Sequence, residues 1–297
     1  MRICITGIAG FIGFHLALKL KEAGHDVFGF DDFNDFVYSS ELKYKRSTIL
    51  EKYNIPVHYH IPNIEADFVI HLAAHAGVRH SMDHQIEYIE NNVLFTQNLI
   101  NRLKDTKVIY ASTSCTMAGN PLPWKEDDPV THQLNPYGYT KMCNESQFLS
   151  SGLETVGLRF FTVYGPWGRP DMALWKFAYA ISNGLPIEVY NNGKMKRDFT
   201  YIDDVVSGIE TVLNNFDTCK NSIYNIGYGS QVSLIDFVSE IEKHFGKAEI
   251  VYKERHKADT LETWADNTKM RSLGWEPKVS LEEGVSKFAE WWHEQFH

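Results

Sequence analysis

The chain of 297 residues predicts an α/β protein, a doubly wound parallel sheet followed by a smaller α+β C-terminal lobe. Three observations carry this expectation. In the first half, short β-branched or aromatic runs alternate with helix-length amphipathic segments. Most of those runs lack polar alternation, as parallel strands covered on both faces do. The change near Gly165 to closely spaced helices and short strands marks the second lobe.

Taken in order, the expected strands are Ile3-Cys4-Ile5, Val27-Phe28-Gly29-Phe30, Phe68-Val69-Ile70, Val108-Ile109-Tyr110 and Val156-Gly157-Leu158-Arg159-Phe160. Between the first two, Ile12, Leu16, Leu20 and Ala23 recur at helical spacing, so this stripe is expected to face the sheet until Gly24 stops the helix. Further helices are expected across Gln85–Lys104 and Pro136–Ser151. Beyond Gly165 the pattern predicts helices near Ala173–Asn183, Ile202–Leu213, Leu234–Phe245 and Leu281–Gln295. Short strands at Ile187–Tyr190, Tyr224–Ile226 and Glu249–Tyr252 fall between them. The expected organisation is a dinucleotide-binding domain over 1–165, with 200–228 returning to it, and a substrate lobe mainly over 166–297. A cleft between the two is where ligands of α/β folds bind.

Composition narrows the function. With 43% hydrophobic and 23% charged residues the chain matches an average globular protein, not a disordered or fibrous one. Its 38 acidic against 29 basic residues give a net charge of −9, which repels phosphate backbones, so nucleic acid is not an expected partner. No apolar run reaches the roughly 18 residues of a spanning helix, and no membrane partner is expected. One basic residue precedes the first apolar run, so no signal peptide is expected. Cys4, Cys115, Cys143 and Cys219 lack paired spacing, which fits a reducing, cytoplasmic location. His71, His75, His80 and His84 have no H-E-x-x-H pattern or cysteine partner, and no metal site is expected. Trp291-Trp292, after Phe288 at helical spacing, reads as packing.

Thr6-Gly7-Ile8-Ala9-Gly10-Phe11-Ile12-Gly13 follows the first strand and opens the first helix with glycines spaced G-x-x-G-x-x-G. A dinucleotide needs a tight turn there, a backbone close enough to touch pyrophosphate, and the free N–H groups of a helix N-terminus. This is a Rossmann-type arrangement. The second strand ends at Asp31, where a carboxylate meets the adenosine ribose hydroxyls. Asp31 and Asp32 would repel the 2′-phosphate of NADP, so NAD is the expected cofactor.

Asn135-Pro136-Tyr137-Gly138-Tyr139-Thr140-Lys141 carries Tyr-x-x-x-Lys at a helix start, and positions i and i+4 share one helical face. A tyrosine ordinarily titrates near 10, and an ammonium and a positive nicotinamide ring favour its phenolate. Lowering that value by about 3 units requires about 4 kcal/mol of differential stabilisation. Ser112-Thr113-Ser114 places hydroxyls at the end of a parallel strand, over the same cleft.

With those motifs in place, the chain resembles the extended short-chain dehydrogenase/reductases, among them the nucleotide-sugar epimerases and most closely the UDP-glucuronate 4-epimerases. The resemblance rests on GIAGFIGFHLA at 7–17, HLAAHAGVRHS at 71–81, LRFFTVYGPWGRPDMAL at 158–174 and NNGKMKRDFTYIDDV at 191–205, together with Tyr137–Lys141. It implies a catalytic triad of Thr113, Tyr137 and Lys141. Tyr137 would take the 4-hydroxyl proton, directly or through Thr113, while C4 gives its hydride to NAD. The 4-keto sugar would rotate and receive the hydride back on the opposite face, with no net oxidation.

The resemblance further implies an NAD site of Gly7, Gly10, Phe11, Ile12, Gly13, Asp31, Asn34, Asn63, Leu72, Ala73, Ala74 and Asn92, completed by Tyr137 and Lys141. For the UDP-sugar it implies Arg79, Ser114, Thr162, Arg169, Arg197, Arg255 and Asp259. Thr162 stands where galactose-type epimerases usually carry asparagine, and a hydroxyl there can donate to a C6 carboxylate. A homodimer is implied, through helices near 85–104 and 136–151.

Three segments depart from the family pattern. Thr113-Ser114-Cys115-Thr116-Met117-Ala118-Gly119 replaces the usual Ser-Ser-Ser-Val-Tyr-Gly, with the aromatic missing and one residue more. Tyr44 to Asp67 is short and lacks a Gly-Asp pair at the adenine, so Asn63 is expected to accept from the adenine amine, and a trimmed helix is expected. Arg255-His256-Lys257-Ala258-Asp259 stands where a Pro-Gly-Asp turn is common. The leading expectation is C4 epimerisation of UDP-glucuronate to UDP-galacturonate. The alternatives are dehydration or decarboxylation of a nucleotide sugar, which usually needs an acid beside the catalytic hydroxyl, and a non-catalytic NAD-binding sensor.

Overall fold

The computed structural model describes residues 1–61, 64–130 and 133–296. Its strands, in chain order, are β1 (Arg2–Thr6), β2 (Asp26–Phe30), β3 (Val57–His58), β4 (Phe68–His71), β5 (Lys107–Thr113), β6 (Thr155–Phe160), β7 (Thr162–Tyr164), β8 (Ile187–Tyr190), β9 (Lys196–Arg197), β10 (Phe199–Tyr201), β11 (Ser222–Ile226), β12 (Val232–Ser233) and β13 (Ile250–Lys253). Seven of them form one parallel sheet in the order β11-β6-β5-β4-β1-β2-β3. The chain leaves β1 in one direction for β2 and returns on the other side as β4, so the crevice where ligands bind such sheets opens at the carboxyl ends of β1 and β4.

The unbroken apolar runs are explained by cover on both faces. On one face Ile3, Ile5, Ile70, Ile109, Val156 and Leu158 pack with Phe14, Leu16 and Leu20 of helix Phe11–Glu22 and with Val205, Ile209 and Val212 of helix Ile202–Asn214. On the other, Cys4, Phe28, Val69, Val108 and Tyr110 meet Leu99, Ile100 and Phe148.

Several boundaries differ from expectation. In helix Phe11–Glu22 the buried face is Phe11, Gly13, Phe14, Leu16, Ala17 and Leu20, whereas Ile12 is half-buried and Ala23, beyond the last turn, is exposed. The helix expected over Gln85–Lys104 is instead Gln85–Tyr88, a π-helical stretch Ile89–Leu94, and Phe95–Ile100. In the wide turn Asn92 points inward, where its amide bridges the His75 backbone and Thr140. Helix Glu41–Lys52 runs its full 12 residues, and the described residues between β3 and β4 form no helix, so the expected trimming falls on that connection. Helix Pro136–Ser150 starts sharply because the Asn135 side chain accepts from Gly138 N at 2.8 Å and Pro136 occupies the first turn.

Outside the main sheet, the described strands form three two-stranded pairs, β7 with β10, β9 with β12 and β8 with β13. Helices Ala173–Ser182, Leu234–Phe245 and Leu281–Phe296 enclose a tryptophan-rich core in which Trp175 meets Trp291 and Trp292 at ring separations of 5.3 and 5.2 Å. β11, although late in the chain, pairs with β6 in the main sheet. Among the described residues, no helix is long and apolar enough to cross a membrane.

Candidate active site at the strand ends

The glycine loop forms a cradle that side chains would fill. Gly7 has φ +70, and a Cβ there would meet the Ala73 backbone at 2.9 Å. A Cβ on Gly13 would come within 2.3 Å of the Gly7 carbonyl. Gly10 caps helix Phe11–Glu22 from an extended conformation, so the first N–H groups of the helix face the crevice. The half-buried segment Leu72, Ala73 and Ala74 forms its other side, tied by Leu72 N to Thr6 O at 3.2 Å and Ala73 N to Thr6 Oγ1 at 3.1 Å. Asp31 ends the crevice beyond β2, with its carboxylate accepting from Ala9 N at 3.1 Å and Phe33 N at 3.0 Å. Burial raises its pKa, against the pull of Lys43 4.0 Å away. Asn34 shapes the next turn, where its Oδ1 accepts from Phe36 N at 2.8 Å. These features fit a dinucleotide. Asn63 lies outside the described residues.

β5 ends at Thr113 and continues into a tight 3₁₀ turn, Ser114–Met117, in which Thr113 Oγ1 accepts from Cys115 N at 3.3 Å. Tyr137, in the first turn of helix Pro136–Ser150, is brought beside this turn, and Lys141 lies on the same helical face. The electrostatics differ from expectation. Burial pushes the Tyr137 phenol up to about 12, helped by Cys115, while Arg169 and the Thr113 side chain pull it down. The groups acting on the phenol are therefore those of the cleft rather than Lys141. Lys141 is 1% exposed, and burial brings its ammonium down to about 8 against the opposing effect of Glu145. Desolvation outweighs the lysine in this arrangement.

The substrate candidates fall into two groups. Arg79, Arg197 and Asp259 gather at one end. Arg79 forks onto Asp259 at 2.7 and 3.3 Å and stacks 3.7 Å over the Tyr190 ring, and Arg197 feels the charges of Asp259, Cys115 and Arg79. Arg169 and Thr162 line a crevice with Phe11, Gly165 and Met172. Arg169 donates to Asp171 at 2.6 and 3.0 Å and to the Ala76 carbonyl at 2.5 Å, and so ties its own loop to the segment that follows β4. Ser114 is buried in the 3₁₀ turn. Arg255 joins neither group. It is exposed in a surface depression with Asn191, Asn192, Tyr252 and Lys253, just past the end of β13. Asn92 braces the loop at His75, as described for the π-helical stretch.

Sequence reasoning passed over four buried charges around the site. Arg46, 0% exposed, donates to Ala9 O at 3.0 Å and to Trp167 O at 2.6 Å, joining the glycine loop to the loop that carries Arg169. Its signal was an arginine in the apolar register of Leu42 and Leu50. Arg159 had a clearer one, a charge inside the strand run Val156–Phe160, and it forks onto Glu145 at 2.8 and 2.9 Å. Glu145 continues the face of Tyr137 and Lys141 by one more turn. Asp198, between β9 and β10, gathers two distant segments by accepting from Tyr228 N, Gly229 N and Ala265 N at 2.8 to 3.1 Å. Burial nevertheless holds it up at about 6.

Comparison with known proteins agrees with this geometry. The profile of the NAD dependent epimerase/dehydratase family matches residues 3–227. An uncharacterised protein of Methanocaldococcus jannaschii is 41% identical over 98% of this chain and 96% of its own length. The UDP-glucuronate 4-epimerase of Thermodesulfobacterium geofontis is 38% identical over 97% of this chain and 94% of its own. Among solved structures, the UDP-glucuronic acid 4-epimerase of Bacillus cereus in complex with UDP-glucuronic acid and NAD superimposes with a TM-score of 0.91 at 33% identity, covering 100% of both chains. A glycine cradle, a helix face that carries half-buried Tyr137 and buried Lys141, and a family match across three quarters of the sequence lead to one conclusion: this chain belongs to the NAD dependent epimerase/dehydratase family.

Proposed function

We propose that this protein is an NAD-dependent UDP-glucuronate 4-epimerase, an isomerase that interconverts UDP-glucuronate and UDP-galacturonate. The observation that carries the reading is the placement of Thr113, Tyr137 and Lys141 at the ends of β5 and helix Pro136–Ser150, opposite the glycine cradle. NAD, when bound, accepts a hydride from C4 of the sugar and gives it back. The remaining work belongs to the chain. Tyr137 takes the 4-hydroxyl proton, with Thr113 beside it to pass the proton or hold the hydroxyl, and returns it at the end of the cycle. Lys141 supplies positive charge on the same face and reaches the cofactor ribose. The glycine cradle and the Leu72–Ala74 segment hold the dinucleotide, with Asp31 at its ribose.

Thr162 and Ser114 are hydroxyl donors suited to a C6 carboxylate. Arg169 supplies a cation beside them, and Arg79 and Arg197 supply cations for the diphosphate. The 4-keto sugar of this substrate is a β-keto acid, so these contacts must also hold the carboxylate in an orientation poor for loss of CO2. The cofactor domain comprises 1–165 with 200–228, and 166–297 mainly forms the substrate lobe. Exposed Ile86, Ile89 and Leu94, with Tyr139 and Leu149 on the neighbouring helix, support a homodimer through those helices. The unpaired cysteine spacing supports a cytoplasmic location.

Incubating the purified protein with UDP-glucuronate and following the sugar resonances by NMR tests the reading. UDP-galacturonate is expected. CO2 release or a 4-keto-6-deoxy product would replace it with decarboxylation or dehydration, and absence of turnover in NAD-loaded protein would replace it with a sensor.

A further inference from the structure

Behind Lys141 lies a buried ion pair that the mechanism above does not use. Glu145 is one helical turn beyond Lys141, itself one turn beyond Tyr137, so the three share a face of helix Pro136–Ser150. The Glu145 carboxylate is held on both oxygens. Arg159 donates Nε to Oε1 at 2.8 Å and Nη2 to Oε2 at 2.9 Å, and Ser112 donates its hydroxyl to Oε1 at 2.5 Å. Arg159, 2% exposed in central strand β6, donates Nη1 to the Glu126 carbonyl at 3.0 Å, and the Glu126 carboxylate accepts from Asn225 N at 2.8 Å. Contacts from β5 and β6 therefore hold the Glu145 carboxylate in place, and Glu126 in turn ties Arg159 to β11.

Fold stability alone is a weak reason for such a pair, since apolar residues of similar volume often serve as well. Its position supplies a better one. Lys141 sits in the same dry interior, where burial works against its charge and Glu145 opposes that effect. The other groups that pack against this region are His71 of β4, held neutral at about 3 by burial and by Lys141, and the hydroxyls of Ser112 and Thr113 on β5. Arg159 of β6 stands on the far side of Glu145, and Tyr137 lies one turn back on the helix.

We propose that Glu145, clamped by Arg159 and Ser112, is a positioning residue that fixes a negative charge one helical turn behind Lys141, keeps that buried ammonium protonated, and thereby sets the alkaline limit of catalysis. This rests on the reading of the chain as a 4-epimerase. Without the carboxylate the ammonium loses its proton at lower pH, which moves the alkaline limb of the activity profile down.

The test is the pH profile of kcat for UDP-glucuronate in Glu145→Gln against the wild type. The alkaline limb is expected to fall by about one pH unit or more, with KM little changed. Limbs that stay in place while kcat drops uniformly would reduce Glu145 to a structural role and overturn the proposal. Because the single substitution leaves the Arg159 cation unpaired, the double variant Glu145→Gln/Arg159→Met guards against misfolding. Its alkaline limb is expected to move the same way by less, and a wild-type profile overturns the proposal. Glu145→Asp, which keeps the charge, is expected to recover part of the shift. A readout independent of turnover is the NMR titration of the Lys141 side chain in NAD-loaded protein carrying isotopically labelled lysine, its resonance assigned by its loss in Lys141→Met. Its midpoint is expected to fall in the Glu145→Gln background, and an unmoved midpoint overturns the proposal. If the wild type fails to turn over UDP-glucuronate, the functional reading falls, while this titration still decides the role of Glu145.

Discussion

Tyr137 and His71 show how burial governs single residues here. Desolvation pushes the half-buried Tyr137 phenol up to about 12, so it needs the positive charge of an oxidised nicotinamide beside it to act as a base. Tyr137→Phe removes the proton acceptor but leaves the cradle untouched. Epimerisation is expected to fall by about 10²- to 10⁴-fold while the purified protein keeps its NAD, as read by NMR turnover and by cofactor content. Activity near the wild-type level would reject Tyr137 as the base. His71 bonds Thr6 Oγ1 at 2.7 Å and Thr96 Oγ1 at 3.0 Å, and burial lowers it to about 3 from 6.5. The unfolded chain therefore binds the extra proton between those values, and the stability linked to His71 is present above pH 6.5 and lost as pH falls toward 3. His71→Gln is expected to reduce the slope of unfolding free energy against pH by about 1.4 kcal/mol per pH unit near pH 5, measured by urea denaturation across that range. An unchanged slope would mean that His71 is charged in the fold.

At the scale of elements, local pattern and three-dimensional role agree where one segment does one job. The turn from β1 into helix Phe11–Glu22 is such a case. Gly13→Ala places a Cβ 2.3 Å from the Gly7 carbonyl, which only a backbone shift can relieve. A loss of about 1–3 kcal/mol and a protein purified without NAD are expected, checked by denaturant unfolding and by cofactor absorbance. Retained cofactor and stability would show that the loop is not the close-packed cradle described. The 85–100 region behaves differently. Its periodicity reads as one long helix, yet Asn92 is drawn to the His75 backbone and opens a π-helical stretch, an interaction with a loop 17 residues upstream. No helical periodicity encodes that.

Across the whole molecule, buried polar ties join segments far apart in the chain. Arg46 reaches from helix Glu41–Lys52 to Ala9 of the glycine loop and to Trp167 of the loop that carries Arg169, and His15 Nε2 bonds the Pro166 carbonyl at 2.9 Å. Arg46→Met leaves those buried carbonyls without a donor, at a cost of about 2–5 kcal/mol. Because the freed loop presents Arg169, the KM for UDP-glucuronate is expected to rise more than kcat falls, as steady-state kinetics can measure. Unchanged KM with unchanged stability would show the tie to be idle.

The doubly wound sheet, the glycine cradle, the acidic end of β2 and the Tyr-x-x-x-Lys face were all legible in the chain, because each is written in short-range spacing. Apolar periodicity records which side of an element is buried, and i to i+4 spacing records which side chains share a helical face. Pairings across long stretches of chain carry no such record. The Arg79 fork onto Asp259 spans 180 positions, and Arg46 reaches Trp167 across 121. That Arg255 faces solvent while Asp259 enters the cleft, and that burial overrides Lys141 at the phenol, depend on which elements pack together and how much water they exclude. Sequence alone determined the parts and their local geometry, and the tertiary structure decided the electrostatics, because desolvation and charge pairing exist only once distant segments meet.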